Sequence, residues 1–288
     1  MRRITSLDEN SRDRAGRYHV EALARGLAIL SAFSAEDPWL GLSEVARRVN
    51  LSTATALRLL RTLERLGYVE QAPDTKKYRP GLAVLRLGYA AIAGLGLRER
   101  SLPYLQRLSD ELGETVNLAV LAGSEIVYIE RIKRTELITA NIHVGSRLPA
   151  YSTSMGKVLL AFLTPAQRAA VLTGVPLVAT GPNTITDRAR LEAELAGVRR
   201  LGYALQDEEL VAGLRSVAAP IRNESGEVIA AINVAVPAGR VPRRVLEERI
   251  APRVVATAAE ISAALGFRGL AATVAAAGPS GARMEGGQ

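Results

Sequence analysis

The stretch LSEVARRVNLSTATALRLLRTLERLGYVE, residues 42–70, contains two short amphipathic segments with only the residues NL between them. Ser43 is placed to cap the first helix, which we expect to end at Asn50 after two turns. Ser52 is placed to cap the second helix. We expect that helix to stop at Gly67, because glycine tolerates the left-handed conformation that ends many helices. Two helices joined by so short a turn indicate a helix-turn-helix.

The second helix of this pair has an apolar side and a side made of Thr and Arg. The Thr and Arg residues recur at i, i+3, i+7 and i+10, which places them in one stripe. Short hydroxyls and Arg reach base edges and phosphates, whereas an ordinary solvated face mixes Glu and Lys. The pattern therefore predicts a DNA recognition helix, with a solvated face as the alternative. The leucines expected to face inward are Leu57, Leu60, Leu63 and Leu66, and the opposite stripe is Thr55, Arg58, Thr62 and Arg65.

The flanking residues complete a winged helix-turn-helix over residues 18–80. A first helix is predicted over 20–33 from its apolar spacing. Residues 68–80, YVEQAPDTKKYRP, alternate in polarity around Pro73 and Asp74, as a short hairpin does. Basic side chains in that hairpin are suited to contact phosphates. The predicted DNA-binding residues are Ser43, Ser52, Thr53, Thr55, Arg58, Arg61, Thr62, Lys76, Lys77 and Arg79.

Residues 81–100, GLAVLRLGYAAIAGLGLRER, are too apolar for a connector that lies in water. We expect a linker helix here that dimerises, since a second copy is the simplest partner for its apolar surface. Residues 1–17 are polar and charged without periodicity and are predicted to form a flexible basic arm. Residues 267–288 are rich in Ala and Gly and are predicted to be a disordered tail.

Residues 101–266 mix helix-like and strand-like segments. This order predicts an α+β domain built on an antiparallel sheet. Helices are predicted at 102–112, 155–162, 165–172, 188–201 and 242–265. Strand-like runs lie at 115–123, 125–132, 137–145, 216–223 and 228–236. The predicted fold is therefore α+β, with a winged helix-turn-helix, a linker helix and a C-terminal α/β domain.

The composition excludes several kinds of site. The chain of 288 residues has no Cys, and its only imidazoles are His19 and His143. We therefore expect no disulfides, no thiolate or His-rich metal site and no Ser-His-Asp triad. No apolar run reaches the roughly eighteen residues of a membrane span, and the first residues lack the apolar centre of a signal peptide, so we expect a cytoplasmic protein without a membrane partner. The net charge of +8 favours nucleic acid as a partner.

The segment STSMGK invites three chemical interpretations. Ser154 and Lys157 have the spacing of penicillin-recognising enzymes, but no Ser-Asp-Asn or Lys-Thr-Gly partner follows. A P-loop requires Gly where Tyr151 stands. A helix starting here leaves backbone N–H groups near Met155 and Gly156 that could hold an anion. The alternative is a capped helix with nothing bound.

Two polar features follow in the second half. Asp207, Glu208 and Glu209 have no His or Lys beside them, so they indicate a solvated loop or a pocket wall rather than a catalytic pair. Asn233 lies between apolar neighbours in a predicted strand, where it either satisfies a core hydrogen bond or faces a ligand. Since no nucleophile, base and orienting group occur together, no catalytic residue is predicted.

Several segments together resemble the IclR family of transcriptional regulators. They are LARGLAIL, LSEVARRVNLSTATALRLLRTLERLGYV, YRPGLAVLRLG, VGSRLPAYSTSMGKVLLA and DEELVAGLRSVAAPIRNESGEVIAAINVAV, and the resemblance runs from about residue 23 to residue 265. The forms SRLPAYSTSMGK and GLRSVAAPI look most like the branch that regulates aromatic-acid catabolism through the β-ketoadipate pathway, the relatives of protocatechuate and 4-hydroxybenzoate regulators. The resemblance implies a dimerising linker helix and a GAF-like C-terminal domain that binds a small carboxylate effector.

The resemblance also implies the effector pocket: Ser154 and Met155 at a helix start, Gln206 or Asp207, and Ser216, Asn233 and Ala235 on strands. In this hypothesis the carboxylate lies on the amides at the helix start, a ring packs on apolar side chains, and Asn233 or Ser216 takes a ring hydroxyl. The predicted effector residues are therefore Tyr151, Ser154, Met155, Gly156, Gln206, Asp207, Leu214, Ser216, Asn233 and Ala235.

The expected function is that of an effector-responsive regulator, homodimeric or tetrameric, which binds a double-stranded DNA operator and a small carboxylate. No cofactor, metal or enzymatic activity is expected. Three alternatives stay open: a regulator of the same family for glyoxylate or short-chain acid metabolism, an enzyme that uses the C-terminal domain, and a constitutive architectural DNA-binding protein.

Overall fold

The computed structural model describes residues 19–34, 37–93, 96–134 and 142–269. The chain divides into two compact units, residues 1–94 and 95–288. The predicted arm at 1–17, most of the predicted tail and residues 137–141 of the third predicted strand lie outside the described residues. Within the described ranges, no helix is long and apolar enough to cross a membrane.

The first unit is a winged helix-turn-helix, as predicted. Helix α1 spans Glu21–Ser31, α2 spans Leu42–Arg48 and α3 spans Thr53–Arg65. An antiparallel hairpin follows, with β1 at Val69–Gln71 and β2 at Tyr78–Pro80. The short turn between α2 and α3 holds the two helices in the arrangement that a DNA-binding motif requires.

Helix caps set the ends of the two central helices. The Ser52 hydroxyl accepts a hydrogen bond from the Thr55 amide at 3.2 Å, which confirms the predicted N-cap of α3. Gly67, with φ of +77°, follows the last turn of α3 in the left-handed conformation. The predicted cap at Ser43 is wrong. The extended backbone of Gly41 occupies the N-cap position of α2 without a side-chain cap, so Ser43 lies inside the first helical turn.

The core of the first unit contains apolar side chains from α1, α2, α3 and the hairpin. Its buried members are Ile29, Leu40, Val45, Leu60, Val69 and Tyr78. The predicted inward face of α3 is partly wrong, since Leu57 is 37% exposed and Leu66 is 60% exposed. At about 100° per residue these two leucines stand on opposite flanks of the buried Leu60, at the rim of the face that α1 and α2 cover.

The predicted linker segment 81–100 contains parts of two helices rather than one. Helix α4 spans Ala83–Ala93 and α5 spans Leu97–Leu112. Gly96 between them has φ of +54°, a conformation that glycine adopts readily. The helix predicted to begin at residue 102 therefore begins at Leu97, whose side chain is fully buried in the core of the second unit.

The second unit is built on one six-stranded antiparallel sheet. Its strands are β3 at Thr115–Ala122, β4 at Glu125–Ile132, β5 at Arg147–Pro149, β6 at Ala204–Asp207, β7 at Leu214–Arg222 and β8 at Val228–Pro237. The order across the sheet is β5-β4-β3-β8-β7-β6. The predicted antiparallel α+β domain is confirmed. Two short edge strands were not predicted: β5, which pairs with β4, and β6, which pairs with β7. The described part of the third predicted strand, residues 142–145, is a turn rather than a strand.

The helices of the second unit lie close to their predicted positions. They are α6 at Ser154–Phe162, α7 at Pro165–Leu172, α8 at Arg188–Leu201 and α9 at Ala251–Ala264. A short 3-10 turn at Ala150–Ser152 leads into α6. A helical turn at Arg243–Val245 and a π-helical turn at Leu246–Ile250 lead into α9.

The sheet has helices on both faces, and the alternation of its strands decides which side chain meets which helix. On β8, Ile232 and Val234 pack in the cluster formed with α5 and α9. Ala231 packs in the second cluster, formed with α6 and α8. Asn233 and Ala235 therefore point toward the α6 side of the sheet, where polar groups collect.

Candidate DNA-binding surface and effector cavity

The outer face of α3 carries the predicted stripe. Arg58 and Arg65 are exposed, and within the described residues neither guanidinium pairs with a carboxylate. The Thr62 hydroxyl donates to the Arg58 carbonyl at 3.0 Å, and the Thr55 hydroxyl accepts from Ser52 at 2.9 Å. These bonds hold the short hydroxyls on the helix while the arginines extend from it, as a surface that contacts a groove requires.

Two of the predicted DNA-binding arginines are paired within the protein. Arg61 donates to Glu64 at 2.8 Å. Arg79 binds Glu70 through two nitrogens, at 2.7 and 3.0 Å, and its guanidinium lies 5.0 Å from the centre of the Trp39 ring. DNA phosphates would have to compete with Glu64 and Glu70 for these two arginines. The basic side chains without such a partner are therefore better placed to contact DNA. The exposed residues at the tip of the wing are Lys76 and Lys77.

The sheet of the second unit carries two neighbouring rows of side chains on its α6 side. Residues directly opposite each other on adjacent strands share a face, and so do residues two apart on one strand. The first row crosses β4, β3 and β8 at Arg131, Asn117 and Asn233. The second row crosses β8, β7 and β6 at Ala235, Ser216 and Gln206.

A chain of hydrogen bonds links these rows to the start of α6. Asn117 Nδ2 donates to Asn233 Oδ1 at 2.7 Å, and Asn233 Nδ2 donates to Ser154 Oγ at 3.4 Å. The hydroxyl groups of Ser154 and Ser216 form a hydrogen bond of 2.7 Å, and the Ser216 hydroxyl donates to Gln206 Oε1 at 3.3 Å. In the described part of the chain, the buried Gln206 Nε2 has no acceptor. A ligand oxygen could satisfy it.

Arg131 brings a positive charge to the wall of this cavity. Its Nη1 donates to Asn117 Oδ1 at 3.1 Å, and none of the described carboxylates pairs with it. Burial lowers the pKa of Arg131, and burial also raises the pKa of the neighbouring Tyr128 hydroxyl, which keeps Tyr128 neutral. A partly buried cation without a counter-ion is unfavourable, and a bound anion would relieve it.

The cavity brings together half of the predicted effector residues. Those that line it are Gln206, Leu214, Ser216, Asn233 and Ala235. Ser154 belongs to the same site through its bonds to Ser216 and Asn233. The lining residues that the sequence analysis missed are Asn117, Tyr128, Arg131, Ile142, Thr153 and Leu210. The sequence does contain one indication of Asn117, because a polar residue interrupts an apolar strand there, as Asn233 does in β8. Its position opposite Asn233, however, depends on pairing between strands that are distant in sequence.

The start of α6 is covered by its own chain. The Gly156 amide donates to the Thr153 hydroxyl at 3.1 Å, so this amide is capped. A Cβ added to Gly156 would meet the Ala150 carbonyl oxygen at 2.2 Å, so glycine is needed for this close approach. Met155 is fully buried in the adjoining apolar cluster. The predicted anion contact at Gly156 therefore competes with an existing cap.

Two other predicted effector residues are engaged outside the cavity lining. The Tyr151 hydroxyl donates to the Val178 carbonyl at 2.9 Å and accepts from the Val178 amide at 3.0 Å. Asp207 accepts a bond of 2.5 Å from Arg215 Nε. Both side chains brace the segments that surround the cavity.

The cavity is small in this conformation, with a volume of about 20 Å³. That is room for about one water molecule. Leu210, on the loop between β6 and β7, lines it. The preceding residue, Glu209, accepts a bond of 2.7 Å from Lys157 of α6, and Lys157 also donates to Glu194 of α8 at 3.0 Å. A ligand that displaces Leu210 would therefore move a loop that this ion cluster ties to α6 and α8.

These two units define a DNA-binding transcription regulator with a separate domain for a small-molecule effector. The chain belongs to the IclR family: the IclR helix-turn-helix domain matches residues 22–73, and the bacterial transcriptional regulator IclR C-terminal domain matches residues 89–263. The matched relatives are named as regulators, and this chain is a regulator rather than an enzyme.

Three relatives illustrate the similarity. The chain is 39% identical to the Pca regulon regulatory protein of Pseudomonas putida, over 83% of this chain and 82% of the relative. It is 35% identical to the HTH-type transcriptional regulator XynR of Escherichia coli strain K12, over 77% and 88%. A crystal structure of an IclR homolog from Microbacterium hydrocarbonoxydans complexed with 4-hydroxybenzoate matches with a TM-score of 0.73 and 31% identity, over 85% of this chain and 99% of that chain.

Proposed function

We propose that this regulator controls a catabolic operon in response to a small aromatic carboxylate. The observation that carries the proposal is Arg131, whose guanidinium faces the cavity and has no carboxylate partner within the described residues. A ligand carboxylate would supply the missing counter-charge through charge-assisted hydrogen bonds. The Pca regulon relative and the homolog that binds 4-hydroxybenzoate support an aromatic acid as the first ligand class to test.

The proposed binding mode places the carboxylate on Arg131. The ring then packs between Tyr128 and Leu214, and a ring hydroxyl bonds to Gln206 Nε2 or Ser216. This mode replaces the predicted contact with the amides at the start of α6, because the Gly156 amide is already capped. Since the cavity holds only about 20 Å³, the ligand must displace Leu210 and its loop. Movement of that loop is the proposed link between effector binding and the rest of the protein.

Calorimetry with 4-hydroxybenzoate and its neutral carboxamide tests this function. The acid is expected to bind about tenfold or more tightly than the amide, because only the acid carries the charge that Arg131 lacks. In Arg131→Gln that preference should disappear. Arg147→Gln, which removes an exposed arginine paired with Glu125, is the matched control and should keep it.

The outcomes separate the alternatives. Equal affinity for acid and amide in the unmodified protein rejects the anion site. If Arg131→Gln still prefers the acid to the amide, the carboxylate binds at another part of the domain. If glyoxylate or another short-chain acid binds and 4-hydroxybenzoate does not, the regulator of short-chain acid metabolism replaces the aromatic-acid regulator as the proposed function.

The stripe on α3 is proposed to read bases, and the tip of the wing to contact phosphates. Arg58→Ala should weaken binding to the specific operator by about 1–3 kcal/mol and relax its specificity. Lys77→Ala should weaken specific and random duplexes alike and flatten the salt dependence. Fluorescence anisotropy on both duplexes over a range of salt concentrations measures this. An equal loss on both duplexes for Arg58→Ala would show that Arg58 contacts only the backbone.

A homodimer is proposed as the DNA-binding form. Leu82, Leu85 and Leu87, at the start of α4, are 72%, 67% and 57% exposed. Leu23 and Leu27 of α1 are exposed as well. Leucines so exposed on two helices of one small unit favour contact with a second copy, which would present two recognition helices to a two-fold operator. A tetramer would pair two such dimers.

A further inference from the structure

A second concave surface lies on the effector domain, apart from the cavity. It is a groove of about 740 Å³ where the C-terminal end of α8, the far half of β7 and α9 meet. Phe162 and Phe267 stand among its walls. The groove and the effector cavity have no lining residue in common, although β7 contributes to both.

The groove is strongly basic. Its lining contains four arginines and no acidic residue: Arg199, Arg200, Arg222 and Arg268. Within the described residues none of the four forms an ion pair, whereas elsewhere on this domain Arg168 pairs with Glu192 and Arg240 with Glu114. Four positive charges thus converge on one concave surface without counter-charges from the described chain.

Two of the four arginines lie against phenyl rings. The Arg222 guanidinium carbon lies 4.7 Å from the centre of the Phe162 ring and 5.8 Å from that of Phe267. Arg199 lies 5.9 Å from the same Phe162 ring. Burial, and then the positive charge of Arg199, lower the pKa of Arg222. The Arg222 guanidinium, which stacks on Phe162 and donates to the Gly226 carbonyl at 2.9 Å, is held in place before any anion arrives, which reduces the entropy lost on binding.

The rest of the groove suits an apolar molecule better than an added peptide strand. Val255, Ala258 and Ala259 of α9 line it with small apolar side chains. The edge of β7 offers few donors here, because Pro220 has no N–H and the Arg222 N–H already donates to Ser262 Oγ at 2.9 Å. A β-strand from another protein would lack the donors that strand addition requires.

We propose that this groove is a second ligand site, which binds an amphipathic organic dianion: a phosphate or a pair of carboxylates carried on an aromatic or other apolar body. The arginines bind the anionic end, and the α9 side chains take the apolar body. A volume of about 740 Å³ lies within the range of small-molecule sites. The site is independent of the effector cavity and of its proposed ligand.

Calorimetry on the full chain with 1-naphthyl phosphate, 1-naphthol and inorganic phosphate tests the proposal. Naphthyl phosphate is expected to bind about tenfold or more tightly than either of its halves, because it uses both parts of the groove. Arg199→Gln and Arg222→Gln should each weaken it by about tenfold. Arg249→Gln, the same charge change at an exposed residue outside the groove, should leave the affinity unchanged.

Arg199 is exposed, so its substitution tests the groove without disturbing the core, and thermal denaturation checks that Arg222→Gln folds. The proposal fails if naphthyl phosphate does not bind, or if it binds no better than inorganic phosphate. It also fails if Arg249→Gln weakens binding as much as Arg199→Gln, since that outcome shows only a general attraction to positive charge. Weakening by Arg131→Gln instead would place the ligand in the effector cavity.

Discussion

Lys157→Met is expected to destabilise the effector domain by about 3–5 kcal/mol, the usual effect of removing one partner from a buried ion pair. Lys157 is only 1% exposed, and its ammonium binds Glu209 at 2.7 Å and Glu194 at 3.0 Å. Without it, the buried Glu209 carboxylate has no cation, and in the described structure its Oε2 already lacks a hydrogen-bond donor. Urea denaturation followed by circular dichroism measures the loss.

The loss should depend on pH. Burial raises the pKa of Glu209 even with Lys157 beside it, and removal of Lys157 should raise that pKa further. An acid whose pKa is raised by folding destabilises the folded state when it is ionised, and this effect fades as the pH falls through the folded pKa. The decrease in the free energy of unfolding caused by Lys157→Met should therefore be largest near about pH 8 and smaller near about pH 5.5.

Two variants control this experiment. Arg244→Met breaks an exposed pair with Glu248 and should change the free energy of unfolding by no more than about 0.5 kcal/mol. Lys157→Met combined with Glu209→Gln should recover part of the loss, because no unpaired charge stays buried. A deficit for Lys157→Met below about 1 kcal/mol and independent of pH would show that the cluster does not hold the loop.

Leu85→Glu combined with Leu87→Glu is expected to convert the protein to monomers. A leucine buried between two copies contributes about 1.5–3 kcal/mol, and a symmetric interface loses that contribution once from each copy. Leu85 and Leu87 lie about 200° apart around α4, so the double variant places a carboxylate on either side of the helix, whichever side contacts the second copy. Sedimentation at micromolar concentration measures the change, and operator binding should fall with it because two half-sites need two linked recognition helices.

Val178→Glu is the control for this change, because Val178 is similarly exposed, at 56%, but lies on the effector domain. It should leave the oligomeric state unaltered. Dimers that persist in the double variant of α4 would locate the contact elsewhere, and α1 with Leu23 and Leu27 would then be the next surface to alter.

Local patterns were enough to predict the winged helix-turn-helix. The cap at Ser52, the stop at Gly67 and the stripe through Arg58 depend on residues within one or two helical turns of each other, so their spacing alone defines them. The helices and most strands of the effector domain were predicted for the same reason. The prediction of a cap at Ser43 was wrong, because the extended Gly41 directly before α2 serves as the N-cap without a side chain.

Only the tertiary structure decided which side chains form the cavity. Asn117 and Arg131 became candidates because β3 pairs with both β4 and β8, and the β8 partner, Asn233, is distant in sequence. The ion cluster at Lys157 likewise joins segments whose approach no short pattern specifies, because Glu209 lies 52 residues further along the chain. Sequence periodicity determines the face on which a residue lies, whereas its neighbours on that face depend on which strands and helices pack together.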